Sequence, residues 1–143
     1  MADRNATTTW NGDLDSGTGL VTLESSGAGQ FPVSFPARTG DPAGQTSPEE
    51  LIAAAHSSCY SMQLSGLLTE AGTPPERIDT SAQVTLGSSG GGPAITGIAL
   101  TVRASVPGAG EDAFQQAAQK AKEICPVSGA LAGTSITLDA ALA

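Results

Sequence analysis

The chain has 143 residues, 39% of them hydrophobic and 14% charged, a length and balance that suit a single domain, residues 1–143, with an apolar core. Fourteen acidic residues against six basic ones give a net charge of −8, which leaves no electrostatic footprint for nucleic acid or anionic lipid. No run approaches the ~18 apolar residues of a membrane span, and Met1 to Thr7 has no apolar signal-peptide core, so a cytoplasmic protein with no membrane partner is expected. Trp10, Phe31, Phe35, Tyr60 and Phe114 are the only aromatic residues. The core is therefore expected to be Leu, Ile, Val and Ala, and so small a domain gains from a partner subunit.

Thr7 to Leu14 and Gly19 to Glu24 read as two short strands joined through Asp15-Ser16-Gly17. After a turn over Ser25 to Gln30, Phe31, Val33 and Phe35 alternate with Pro32, Ser34 and Pro36, which permits only an edge or broken strand. Ala37 to Gln45 reads as a loop carrying Arg38. Ser47 then caps a helix that has Pro48 in its first turn and Glu50 where a capping box places it. Leu51, Ala55, Cys59, Met62 and Gly66 share one face of this helix, and Gly72, Pro74 and Pro75 end it. Running about Pro48 to Ala71, it would span ~36 Å, long enough to be the central element.

Ile78 to Leu86 and Ala94 to Val106 read as a hairpin around a glycine-rich tip. Glu111 to Ile124 reads as a second helix, with Ala113, Phe114, Ala117, Ala121 and Ile124 on its buried side. Thr134 to Leu142 is a last strand. The order βββ-α-ββ-α-β does not alternate strictly, so the class is α+β.

Two cysteines stand in different local chemistry. Cys59 lies in an apolar helical stretch, and Cys125 closes the second helix just before Pro126. In a reducing compartment such thiols are buried spectators, metal ligands or a redox couple. A reactive cysteine must be a thiolate. Cys59 sits ~16 Å beyond Pro48 along the helix, too far for the helix N-terminus to act, and its apolar neighbours raise its pKa. A cation from elsewhere would have to reach it. Arg38 stands out among the six basic residues because its loop feeds this helix, and Glu49 or Glu50 is at hand to hold it. The bland alternatives are an inert core thiol and a solvated loop arginine. His56, the one histidine, with two cysteines would supply at most three zinc ligands, so no metal is expected, and packing or hydrogen bonding beside the site is the favoured role.

The stretch Thr46-Ser47-Pro48-Glu49-Glu50-Leu51-Ile52-Ala53-Ala54-Ala55-His56-Ser57-Ser58-Cys59-Tyr60-Ser61-Met62, with Cys125-Pro126-Val127-Ser128 downstream, resembles the OsmC/Ohr family of thiol peroxidases. Trp10-Asn11-Gly12, Ala94 to Leu100 and Ile136 to Asp139 extend the resemblance along the chain. Glu-Glu-Leu-Ile followed by Ala-Ala-His resembles the OsmC branch. Four positions depart from the family's usual residues: Ser47 replaces Asn, Ser57-Ser58 replaces Ala-Ala, and Tyr60 replaces Phe.

The resemblance implies an OsmC-like fold, an antiparallel-rich sheet packed on two central helices in an intertwined homodimer. It implies that Cys59 is the peroxidatic cysteine and Cys125 the resolving one, that Arg38 activates the thiolate, and that Glu49 holds Arg38. The implied reaction reduces organic hydroperoxides, and hydrogen peroxide more weakly, through a Cys59 sulfenic acid and a Cys59–Cys125 disulfide. A dithiol donor, a lipoyl-type or small thiol, restores both cysteines without any cofactor. Two readings from other classes compete, a thiol redox sensor and a catalytically silent ligand-binding dimer. Helix arithmetic adds a constraint. Glu49 and Cys59 are ~15 Å apart along one helix, and an arginine side chain reaches only about 7 Å from its Cα. Each site is therefore expected to take Cys59 and Cys125 from one chain and Arg38 and Glu49 from its partner.

Overall fold

In a computed structural model, which describes residues 1–143, Asp13 ends the first strand sooner than expected. Its Oδ1 accepts from the amides of Asp15 and Ser16 at 2.9 and 2.8 Å, turning the chain. Strand β1 is thus Thr7–Asn11, antiparallel to β2, Thr18–Thr22. Gly17 is required at this turn, because a Cβ there would lie 2.2 Å from the Asp13 carbonyl oxygen and 2.7 Å from that of Asn11. The Trp10 indole lies across Gly17 and Gly19 and donates its Nε1–H to the Gly12 carbonyl at 3.0 Å. Strand β3, Gln30–Val33, completes a sheet of order β1-β2-β3.

Phe35 does not continue β3, and Arg38 is not in a loop. Both belong to a five-residue helix α1, Phe35–Thr39. Ser34 caps it by accepting from the Ala37 amide at 3.3 Å, and Pro36 sits in its first turn. The period-two pattern through Phe35 concealed this start signal.

The chain forms two compact units, residues 1–51 and 52–143. In the first, Val21 and Ala37 are the buried apolar residues, while Trp10, Leu14, Leu20 and Phe31 are exposed. Every residue of β1 is exposed.

Helix α2, Pro48–Glu70, begins as expected, with Ser47 Oγ accepting from the Glu50 amide at 3.1 Å. The reciprocal half of the capping box is absent: the Glu50 carboxylate accepts from the Thr46 hydroxyl instead. Its core side is also not the expected one. His56, Tyr60, Leu64 and Leu68 are buried, whereas Ala55, Gly66 and Met62 are exposed, Met62 at 70%. The helix is small and apolar around most of its circumference, so periodicity cannot choose a face, and the bulkier Tyr60 and leucines fill the core.

In the second unit β4, Arg77–Ser89, and β5, Gly92–Ser105, form a long hairpin closed by Gly90-Gly91 alone. Both glycines have positive φ, +61° and +90°, as a two-residue hairpin turn with primed geometry demands. The tip is much shorter than the glycine-rich sequence suggested. Strand β6, Ile136–Leu142, adds parallel to β5, giving the order β4-β5-β6. Helix α3 spans the expected Glu111–Ile124, but Phe114, Ala118 and Ala121 form its buried side, and Ala113 and Ile124 are exposed. A short helix α4, Pro126–Ala130, follows directly. Tyr60, Leu64, Leu68, Leu100, Val102 and Phe114 centre the core, and Cys125 is part of it. The α+β class and the βββ-α-ββ-α-β order stand, with α1 and α4 added and the strands divided between two three-stranded sheets. No helix is long and apolar enough to cross a membrane.

Candidate active site

The four expected site residues fall into two pairs, one in each unit. In residues 1–51, α1 presents Arg38 and the first turn of α2 presents Glu49. Arg38 Nε donates to both Glu49 oxygens at 3.2 and 3.1 Å, and Nη2 donates to Oε1 at 2.7 Å. Glu49 is 7% exposed. Such a fork fixes the guanidinium plane and leaves Nη1 for another acceptor. The Arg38 hydrogen bonds hold the Glu49 carboxyl below its ordinary range, and Glu49 pushes the Arg38 pKa up in return. Arg38 therefore carries a permanent charge. It shares a cavity of about 390 Å³ with Trp10, Val21, Val33, Phe35 and Leu51, so one cation faces a largely apolar pocket whose other polar lining is Thr8 and Ser34. Glu50 is exposed and serves the helix start only.

In residues 52–143, α2 and the α3–α4 junction bring the two thiols together. Cys59 Sγ and Cys125 Sγ are 3.2 Å apart, and both cysteines are free. Cys125 is fully buried and Cys59 half-buried. Cys125 is the last residue before Pro126 opens α4, so the first amides of that helix point at the sulfurs. Burial, followed by the proximity of Cys125, pushes the Cys59 thiol up despite a hydrogen bond from the Val127 amide. Cys125 experiences the same burial but is pulled down on balance by the Ser128 amide, by Cys59, by the Ser128 hydroxyl and by the Val127 amide. Within this unit Cys125, and not Cys59, is the thiol held down, and no cation is among the groups that move Cys59. The amides of Val127 and Ser128 and the Ser128 hydroxyl were not anticipated; the one signal for them was Pro126 directly after Cys125, a residue suited to a helix's first turn.

His56 packs beside this pair on the core face of α2. It is completely buried, and its Nε2 lies 2.8 Å from Ser128 Oγ. Nδ1 is buried without a partner. No cluster of three potential metal ligands exists. Tyr60 does not offer its hydroxyl to a thiol; it donates to the Ala118 carbonyl at 2.9 Å, tying α2 to α3.

Burial holds the His56 pKa below its ordinary 6.5. Below that pH the unfolded chain takes up a proton that the folded chain resists, so stability is lost as pH falls. The stabilising effect of Glu49 is instead present above its ordinary 4.5 and lost below it. The window from 6.5 down to 4.5 isolates His56. His56→Gln is expected to flatten the fall of the urea midpoint across that window.

A family model described as OsmC-like protein matches residues 40–140. Peroxiredoxin OsmC of Escherichia coli K12 is 48% identical over 130 residues, 91% of this chain and 90% of its own length. An organic hydroperoxide resistance protein from Elizabethkingia anophelis matches with a TM-score of 0.79 at 26% identity, covering 100% of this chain and 98% of its own. The organic hydroperoxide resistance protein OhrB of Bacillus subtilis matches with a TM-score of 0.74 at 27% identity, covering 96% and 98%. With a relative this close along nearly its whole length, and with the fold in agreement, the chain belongs to the OsmC family.

Proposed function

We propose that the protein is a cysteine-based peroxidase that reduces organic hydroperoxides, and hydrogen peroxide more weakly, with a dithiol as electron donor. The observation that carries this reading is the 3.2 Å approach of two free thiols, one on α2 and one at the α3–α4 junction. The names of the relatives agree with it: one is a peroxiredoxin and two are organic hydroperoxide resistance proteins. Cys59 is the peroxidatic cysteine, being the more accessible of the two. Its thiolate attacks one peroxide oxygen, an S–O bond forms as the O–O bond breaks, and the departing alkoxide takes a proton to leave as alcohol. Cys125 then attacks the Cys59 sulfenic acid. An S–S bond forms, the S–O bond breaks, and the departing hydroxide takes the thiol proton to leave as water. Exchange with a dithiol, as found in a reducing cytoplasm, returns both thiols.

Cys59 needs a cation, and none of the four in its own unit is among the groups that move its pKa. Arg38, pinned by Glu49, is the group suited to stabilise its thiolate and the charge developing on the leaving oxygen. The helix arithmetic favours delivery of that pair from a partner subunit. Exposed apolar surface supports the same arrangement: Met62 on α2 and Trp10, Leu20 and Phe31 on the first sheet lack cover in one chain. The working enzyme is then an intertwined homodimer with a large apolar isologous interface, in which residues 1–143 act as one OsmC-like domain.

The test is steady-state loss of cumene hydroperoxide with dithiothreitol or dihydrolipoamide present. Multiple turnovers are expected, with kcat/KM for cumene hydroperoxide above that for hydrogen peroxide. Oxidation of the cysteine pair without turnover would instead favour a redox sensor. No thiol oxidation at all would favour a ligand-binding dimer.

A further inference from the structure

The His56–Ser128 contact has no part in the steps above, yet it lies against the resolving cysteine. Both residues are buried, His56 completely and Ser128 at 5% exposure. They come from elements 72 positions apart in sequence. A completely buried histidine with one nitrogen unsatisfied is costly unless something recovers the loss.

The unsatisfied atom fixes the tautomer. A buried N–H without an acceptor is rarer than a buried acceptor without a donor. Nδ1 is therefore the bare nitrogen, and Nε2 carries the hydrogen and donates it to Ser128 Oγ at 2.8 Å. With its oxygen so engaged, the Ser128 hydroxyl hydrogen is free to point at the Cys125 sulfur, which begins the turn that ends at Ser128. A neutral imidazole suits this role, and burial keeps His56 neutral. The remaining titratable groups facing Cys125 are Cys59 and Tyr60, both on α2. Burial pushes the Tyr60 phenol up, so it stays neutral. No cation of the second unit contributes, and Arg38 of the partner subunit is engaged at Cys59 in the mechanism above.

We propose that Ser128, held in one orientation by His56, donates a hydrogen bond to the Cys125 sulfur as it attacks the Cys59 sulfenic acid. In this assignment Ser128 acts on a reacting atom, and His56 is a positioning residue that acts through it. The proposal rests on the peroxidase reading. The bond order changes are those of the resolving step: Cys125 S–H and Cys59 S–O break, the disulfide and water form, and no outside oxidant or base is required. The Ser128 hydrogen bond stabilises the negative charge on Cys125 while its proton leaves. Rapid closure to the disulfide also protects Cys59 from a second peroxide, which would take it to the sulfinic acid.

The experiment is single-turnover disulfide formation after one equivalent of cumene hydroperoxide, followed across pH 6 to 10, with dimedone trapping of the sulfenic acid. Ser128→Ala is expected to slow disulfide formation about three- to tenfold at pH 7; a lost charge-assisted hydrogen bond lowers the thiolate fraction by more than this, and the more basic sulfur recovers part of it as nucleophilicity. The pH limb should move upward, and the difference from the parent protein should close once Cys125 is ionised in both proteins. Trapped sulfenic acid and the sulfinic fraction should rise together. Ser128→Thr keeps the hydroxyl and should restore the parent profile. His56→Gln keeps a donor to Ser128 and should do the same, whereas His56→Leu should match Ser128→Ala. Slowing by the same factor at every pH, or a Ser128→Thr protein as slow as Ser128→Ala, would overturn the proposal. Should His56→Leu fail to fold, the Ser128 pair decides alone. Absence of sulfenic acid in every protein, the parent included, would sink the peroxidase reading itself and is distinguishable from either result.

Discussion

Cys59→Ser is expected to reduce turnover to the uncatalysed background, while Cys125→Ser should consume about one equivalent of hydroperoxide per chain and then stop. The asymmetry follows from the order of events. Serine at position 59 offers no thiolate, so the O–O bond is never attacked. Serine at position 125 leaves that attack intact but removes the only sulfur within reach, 3.2 Å away, that can close on the sulfenic acid. The stalled protein should add one oxygen by intact mass, react with dimedone, and gain a second oxygen under excess peroxide. Stoichiometric consumption by Cys59→Ser, or continuous turnover of Cys125→Ser with the same dithiol at the parent rate, would reverse or remove the assigned roles.

Subunit mixing has the next largest expected effect. Cys59→Ser and Arg38→Ala should each be inactive alone, for different reasons: one lacks the nucleophile, the other the cation that lowers its pKa. If each site combines Cys59 and Cys125 of one chain with Arg38 and Glu49 of the other, a heterodimer of the two variants contains one complete site. Equal mixing after full subunit exchange gives about half heterodimers, and therefore about a quarter of the parent activity. Native mass spectrometry verifies the exchange. Verified heterodimers with no recovery would show that each site is built within one chain.

The sequence made some features of this site legible and hid others for physical reasons. The start of α2 was readable because Ser47 and Pro48 are local signals whose meaning does not depend on the rest of the fold. The end of α3 was readable for a similar reason, because Pro126 follows Cys125. The core face of α2 was not. Alanines and serines surround it, and which side is buried is decided by tertiary packing of Tyr60, Leu64 and Leu68 on the second sheet. Arg38 stood out from its place before α2, and the family resemblance chose Glu49 over Glu50 as its holder; their bidentate contact is positioned by two caps, Ser34 on α1 and Ser47 on α2. Ser128 was invisible because its role depends on a histidine 72 positions away, a relation that no local pattern encodes.

Trp10 gives the protein an optical handle. It is the only tryptophan, it is fixed across Gly17 and Gly19, and it shares a cavity with Arg38. Indole emission from this chain therefore originates beside the cation of the proposed site. A hydrocarbon tail entering that cavity displaces water from the ring and shifts the emission to shorter wavelength. A chain with serine at position 59 would give the same signal while consuming nothing. Loading of the pocket and breaking of the O–O bond thereby become separate observables, one read in light and the other in lost peroxide.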